Sequence, residues 1–322
     1  MNETMLRRSM SDEAPVFETT TGPVRVITAA SLFDGHDAAI NVMRRLIQSS
    51  GAEVIHLGHD RSAKDVVDCA VQEDAHAVAL TSYQGGHIEY FTYIRQLLDE
   101  AGCSHVRIFG GGGGTITPPE IRELHNNGIS RIYSPDDGRK MGLMGMIHDL
   151  MGTASEVDLI SEDRLSTLNQ PITPDDMAKV GLLLTLSESA SDNDFKAMIE
   201  RVRSSEKDVP VIGFTGTGGA GKSSLLDELM LRILRDNPDK KVCLLCVDPT
   251  RKRTGGALLG DRIRMNSLSN NNLYMRSLAS RGSGSEISTK LDRAIEAAKA
   301  VGFALIVCET SGIGQGSDAI TP

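Results

Sequence analysis

Short apolar runs alternate with longer stretches of helical spacing from residue 24 onward. Runs at 24–29, 52–58, 77–82, 106–109 and 131–133 are too short for helices and rich in Val, Ile and Ala, and they predict buried strands. Between them the apolar positions recur at three- and four-residue spacing. That spacing predicts helices over 38–49, 63–73, 88–100 and 118–126, with a closing helix over 141–151. Five strands alternating with five helices imply an open parallel sheet covered on both faces, flavodoxin-like in size, over residues 23–154. Residues 1–22 are polar and aperiodic, and predict a disordered or extended arm.

Residues 155–208 are more polar. The segment Thr173-Pro174-Asp175-Asp176 has the signature of a helix start: a capping residue, proline at the first helical position and early acids. Amphipathic helices at 177–186 and 192–203 then predict a helical linker lying between domains rather than a flexible tether. A second unit, 209–322, repeats the alternation, with strands at 211–214, 241–247 and 304–308 and helices at 224–234 and 292–300. The expected fold class is α/β, two doubly wound parallel-sheet domains joined by a helical linker.

Composition narrows this picture. The chain has 322 residues, 40% hydrophobic and 24% charged, with 32 glycines, which suits folds whose loops approach ligands closely. A formal net charge of −9 argues against a nucleic-acid partner. The one basic cluster, Arg251-Lys252-Arg253, is short, and reads equally as a solvated loop or as a phosphate or partner contact. No apolar stretch reaches the roughly 20 residues of a membrane span, and no signal-peptide pattern opens the chain. Five cysteines show no disulfide framework, so a reducing, cytoplasmic setting is expected. Cys243 and Cys246 are three apart within a strand and face opposite sides, so they cannot share a metal.

The densest chemistry lies at Gly216-Thr-Gly218-Gly219-Ala220-Gly221-Lys222-Ser223, which satisfies G-x-x-x-x-G-K-[ST] between a strand and a helix. Glycines let successive N–H groups converge on an anion, and the helix opening at Lys222-Ser223-Ser224 adds its positive end. Lys222 offers charge to the terminal phosphates and Ser223 a hydroxyl to magnesium. The first unit has three unusual loops at strand C-termini: Asp34-Gly35-His36-Asp37-Ala38-Ala39, Ser82-Tyr83-Gln84-Gly85, and the glycine run Gly110 to Gly114 followed by Thr115. In doubly wound sheets all three fall on one rim. A histidine beside a carboxylate can donate one ring N–H to it and offer the other nitrogen to a metal.

These loops resemble the D-x-H-x-x-G, S-x-L and G-G signatures of cobalamin-binding domains, departing from them at Ala39 (for Gly) and Gln84 (for Leu). The resemblance implies that His36 ligates cobalt from below, that Asp34 holds His36, and that the cofactor's displaced nucleotide tail enters a pocket formed by Gly35, Ser82, Gly85, Gly110, Gly111, Gly112 and Thr115. The second unit carries four ordered motifs: the P-loop, Val247-Asp248-Pro249-Thr250, Gly255 to Met265 with Asp261, and Glu309-Thr310-Ser311-Gly312-Ile313-Gly314-Gln315. It resembles the G-protein chaperones of methylmalonyl-CoA mutase.

This second resemblance implies GTP as substrate, with Mg2+ on Ser223, Asp248, Asp261 and Glu309 and catalysis through Lys222 and Gln315. Each carboxylate also fits a helix cap or turn, and Gln315 fits a turn end as well as a water-orienting group. No N-K-x-D segment for reading guanine occurs in the chain. The order of the two units resembles the fused isobutyryl-CoA mutases, and the chain reads as the N-terminal part of such an adenosylcobalamin-dependent acyl-CoA mutase. A substrate-binding barrel on the same polypeptide, a cofactor-delivering adenosyltransferase and a homodimeric assembly are the partners implied. Two other readings stay open: a free-standing P-loop GTPase with a partner-binding α/β module, or a cobalamin carrier with an inert G domain.

Overall fold

The computed structural model describes residues 17–205, 208–250, 256–259, 261–280 and 284–310. A short antiparallel hairpin, β1 (Glu18–Thr19) with β2 (Gly22–Pro23), leads into the first sheet. That sheet is built from β3 (Arg25–Ser31), β4 (Glu53–Arg61), β5 (Ala77–Thr81), β6 (Arg107–Gly111) and β7 (Arg131–Tyr133), all parallel. The strand order β4-β3-β5-β6-β7 is the flavodoxin-like order expected from the alternation. β3 and β5 are buried along their whole length, which explains why they read as continuous apolar runs.

Helices α1 (Asp37–Ser49), α2 (Ala63–Gln72), α3 (His87–Glu100), α4 (Pro118–Asn126) and α5 (Pro135–Ser155) cover the two faces. α2, α4 and α5 each start with a reciprocal capping box, from Ser62, Thr117 and Ser134. α5 is longer than the sequence suggests. Gly142, at φ 67°, interrupts its regular dihedrals, so the helical periodicity is legible only beyond it.

The linker folds as α6 (Glu162–Ser166), α7 (Met177–Ser189) and α8 (Asp192–Val202). α7 is not amphipathic as expected, because Val180 to Ser187 are buried without a break. It lies between α2 of the first unit and α10 (Gly284–Val301) of the second, so both its sides face protein. The second sheet holds β8 (Val211–Phe214), β9 (Val242–Pro249), β11 (Leu273–Ser280) and β12 (Leu305–Thr310), in the parallel order β11-β9-β12-β8, with α9 (Lys222–Asp236) following β8. Cys243 and Cys246 fall in different hydrophobic clusters on opposite faces of β9, as the strand periodicity requires.

The β1–β2 hairpin gives residues 18–22 of the expected disordered or extended arm regular structure, α6 adds a turn to the linker, and two further strands lie outside the sequence expectation. β11 shows no continuous apolar pattern, because Arg276 and two serines break it. β10 (Ala257–Leu259) lies in the second unit's sequence, yet it pairs in parallel with β4 as the sixth strand of the first sheet. Gly256 makes that approach possible: a Cβ there would sit 2.1 Å from the carbonyl oxygen of Gln48.

A buried lattice of ions reinforces the join. Arg25 bonds Glu53, Arg262 bonds Glu73 at 2.9 Å, Arg276 bonds Glu188 at 2.7 Å and Arg164 bonds Asp74 at 2.6 Å. Burial opposes the Asp74 charge, but Arg164 and its neighbours hold the carboxyl below the usual range. Four guanidinium groups and four carboxylates balance in these contacts, as groups removed from water must.

Candidate functional site

β3 and β5 are the neighbours at which the strand order of the first sheet reverses, and their C-terminal loops meet there. Asp34 is fully buried with both oxygens engaged. Oδ1 accepts from the His36 backbone N–H at 2.9 Å and from His36 Nδ1 at 2.8 Å, and Oδ2 accepts from the Tyr83 backbone N–H at 2.7 Å. Burial works against ionisation of Asp34, but the N–H groups of Tyr83 and His36 outweigh it and hold the carboxyl below its usual range. An ionised carboxylate only accepts, so His36 carries its proton on Nδ1 and turns the Nε2 lone pair outward. The His36 side chain is 67% exposed, with its ring centroid 5.4 Å from that of Tyr83.

Ser82 is buried, and its hydroxyl accepts from Ser31 at 2.9 Å while its backbone N–H donates to Gly111. Beside this rim lies a cavity of about 580 Å3, between α1 and α5 over the ends of β5, β6 and β7. Its walls are apolar, Val42, Met43, Leu143 and Met146 among them, and the backbone of Gly110, Gly111 and Gly112 forms one side. A Cβ on Gly112 would stand 1.9 Å from the Ser82 carbonyl oxygen, and one on Gly110 would stand 2.5 Å from the Phe91 ring. Side chains are therefore excluded on steric grounds, and the wall stays open. Asp34, His36, Ser82 and the three glycines are thus brought together. Gly35, Gly85 and Thr115 are exposed and do not line the cavity.

In the second unit Gly219 and Gly221 are in the left-handed region at φ 78° and 81°, and Gly221 caps α9. Gly218, Ala220 and Ser224 are exposed around that helix start. Lys222 Nζ donates to the carbonyl oxygens of Gly216 and Thr217, both at 3.1 Å, so the lysine spans its own loop. The Ser223 hydroxyl donates to Glu309 Oε1 at 2.7 Å, and Glu309 is buried near the end of β12. Asp248 lies near the end of the adjacent β9.

Asp261 opens the helical turn Asp261–Arg264, but its side chain lies outside the described residues, as do Gln315 and the basic cluster at 251–253. Among the described residues no three His, Cys, Asp or Glu side chains gather as a metal-ion site. A P-loop magnesium needs only a hydroxyl, one or two carboxylates, phosphate oxygens and water, and the Ser223–Glu309 pair fits that demand.

Residues 24–136 match the B12 binding domain family, and residues 180–321 match the family of the methylmalonyl-CoA mutase-associated GTPase MeaB. The chain is built from a B12-binding domain and a MeaB domain. It is homologous to the fused isobutyryl-CoA mutases: 53% identical to that of Geobacillus kaustophilus over 92% of this chain, and 52% identical to that of Cupriavidus metallidurans over 93%. It spans 28% and 27% of the length of those two relatives. A putative GTPase of Pyrococcus horikoshii is 40% identical over 44% of this chain and 44% of its own length. β10 therefore lies inside the MeaB match while completing the B12-binding sheet.

Several site residues escaped the sequence reading. Tyr83 supplies the N–H that orients Asp34, and Ser31 anchors Ser82. Asp60, at the end of β4, accepts from the Phe33 backbone N–H at 2.8 Å. The available signal was position: Tyr83 directly follows Ser82, and Asp60 lies two residues beyond the apolar run 52–58. The cavity-lining side chains of α1 and α5 were legible only as amphipathic spacing.

Proposed function

We propose that this chain is the cofactor-holding and nucleotide-responsive part of an adenosylcobalamin-dependent acyl-CoA mutase that interconverts isobutyryl-CoA and n-butyryl-CoA. The observation that carries the cofactor half is the Asp34–His36 pair: a proton fixed on Nδ1, an outward Nε2, and an apolar cavity alongside. Ligand cavities of ordinary size run from about 300 to 1,000 Å3, so this one suits a nucleotide-sized tail. His36 would hold cobalt, with Asp34 fixing its ring and Ser82 and Gly110 to Gly112 shaping the tail pocket. When bound, adenosylcobalamin supplies the radical chemistry of the carbon-skeleton rearrangement. Gly35, Gly85 and Thr115, exposed outside the cavity, would contact the cofactor at the rim.

In the MeaB half, GTP would lie with its phosphates on Gly216, Gly218, Gly219, Ala220 and Gly221 and on the helix start at Lys222, Ser223 and Ser224. Binding requires Lys222 to leave Gly216 and Thr217 for the phosphates. Mg2+ would be held by Ser223 and Glu309 with Asp248 and Asp261, and Gln315 would orient the attacking water. GTP binding and hydrolysis would gate loading and protection of the cofactor. An acyl-CoA-binding barrel on the same polypeptide, an adenosyltransferase that hands over the cofactor, a homodimeric assembly and a cytoplasmic setting complete this reading. It is supported by the relatives' names and by the shared sheet.

The test is the visible spectrum of adenosylcobalamin titrated with the chain. A base-off spectrum with histidine on cobalt is expected, and His36→Ala should lose the histidine signature. An identical spectrum from that variant overturns the assignment. For the second site, Lys222→Ala should abolish magnesium-dependent GTP turnover in the protein carrying its full G domain; undiminished turnover refutes it.

A further inference from the structure

The end of β4 is irregular in a way that points at His36. The β3–β4 register slips after Thr28, which pairs with His56, because Ala29 pairs with Gly58 and leaves Leu57 as the extra residue of a bulge. Three residues on, Asp60 is in the left-handed region at φ 57°, and its Oδ1 accepts from the backbone N–H of Phe33, itself left-handed at φ 63°. A non-glycine residue with positive φ is uncommon, and here two face one another across a hydrogen bond. Phe33 is 78% exposed, so packing of its side chain does not hold the strained turn. Asp34 follows directly, and Asp34 holds His36. Bulges beside functional sites commonly re-aim a side chain in this way.

The bulge is gripped from the other domain. Gly58 is left-handed at φ 85°, and the Ile263 side chain lies over its bare Cα: a Cβ there would stand 2.8 Å from Ile263 Cδ1. Ile263 belongs to the turn that opens with Asp261, directly after β10 has paired with β4. The preceding β9 ends at Asp248 and Pro249, and Thr250 bridges back to Ala257. The stretch with two of the proposed magnesium carboxylates is therefore tied to β4, whose penultimate residue is Asp60.

We propose that Asp60 is a positioning residue for His36, and that Ile263 of the MeaB half sets Asp60 through the β4 bulge. The inference rests on the cobalamin reading and supplies the physical link that coupling between the two sites requires. Asp60 is not among the residues proposed to hold cofactor or nucleotide. It acts by holding Phe33, and through it the Asp34–His36 turn, in a conformation the backbone would otherwise leave.

The test measures adenosylcobalamin affinity by absorbance, together with hydrogen exchange of the Phe33 amide in the cofactor-free chain. Asp60→Ala should weaken binding about three- to tenfold, the worth of one hydrogen bond, and speed exchange at Phe33 by a similar factor. Asp60→Asn keeps the accepting oxygen and should restore both. Ile263→Ala should shift both readouts in the same direction, and the double variant should be no weaker than Asp60→Ala alone. In a His36→Ala background the Asp60 effect on affinity should vanish while its effect on Phe33 exchange persists.

An Asp60 effect on cobalamin affinity that survives removal of His36 overturns the positioning role. Unchanged Phe33 exchange in Ile263→Ala overturns the link to the MeaB half. A His36→Ala chain that binds cobalamin as tightly as the parent sinks the underlying cobalamin reading instead, and the positioning role falls with it.

Discussion

Arg262→Met tests whether the two domains are one mechanical unit. The guanidinium is almost fully buried: Nε donates to Glu73 Oε1 at 2.9 Å, and Nη2 donates to Gln72 Oε1 at 2.9 Å and to the Met275 carbonyl oxygen at 2.6 Å. Glu73 is wholly buried and also accepts from the Ser277 backbone and hydroxyl. One arginine thus ties the end of α2, the turn after β10 and strand β11. Removing it leaves Glu73 with the Arg25 guanidinium at 3.6 Å as its other cation. Breaking one partner of a buried ion pair costs about 3–5 kcal/mol, mostly because the remaining charge stays out of water. That is a large share of the roughly 5–15 kcal/mol by which folded domains are stable.

Urea unfolding followed by circular dichroism reads this directly. With a slope of about 3 kcal/mol per molar, the midpoint should fall by about 1–2 M. Because the arginine joins two cores, the loss should also separate the transitions of the B12-binding and MeaB halves. Arg262→Met with Glu73→Gln removes both charges and keeps an acceptor for Ser277. The pair should recover about 2 kcal/mol relative to the sum of the single costs. A single-variant cost below about 1 kcal/mol, or strict additivity in the double, refutes the clamp.

Gly112→Ala forces a Cβ against the backbone oxygen of Ser82, which cannot move without parting β5 from β6. It should cost about 3 kcal/mol and weaken cobalamin binding, whereas Gly114→Ala, with open space around it, should do neither in the same melts and titrations. Burial is the main cause that pushes His76 down to about 3 and His105 down to about 4. Both stay neutral in the folded chain but protonate in the unfolded chain below about 6.5, so stability is full above that pH and is lost as pH falls. The loss should approach about 1.4 kcal/mol per pH unit for each histidine between pH 6.5 and 4.5. His76→Gln, which keeps an acceptor for the Arg25 N–H, should halve that slope in urea titrations, and an unchanged slope refutes the assignment.

Strand and helix periods made most of both sheets legible because β3 and β5 are buried throughout and most helices alternate buried with exposed positions, and β8 reads as an apolar run although Val211 and Ile212 are exposed. The rule failed where burial came from the other domain. α7 was read as amphipathic, yet its second face meets protein, and β11 hid behind Arg276, a charged residue that a strand reading excludes until its partner Glu188 is known. The P-loop and the Asp34–His36 spacing were legible because their chemistry is local to a few residues. Tyr83, Asp60 and Ile263 were not, because Tyr83 acts through its own backbone N–H on the Asp34 carboxylate, Asp60 on a backbone N–H and Ile263 on a bare glycine, and a single chain carries no periodic signal for such contacts.

Three consecutive residues show what the shared sheet accomplishes. Asp261 opens the turn after β10, Arg262 anchors that turn to Glu73 at the end of α2, and Ile263 lies against Gly58 in the β4 bulge. In a free-standing GTPase such a loop could move with its nucleotide at little cost to another site. Here its middle residue is buried among charges and its neighbours are held by a strand, so a displacement at Asp261 is resisted at Glu73 and transmitted at Gly58. Moving this turn therefore requires breaking the buried Arg262–Glu73 pair, the contact whose worth the Arg262→Met measurement reads.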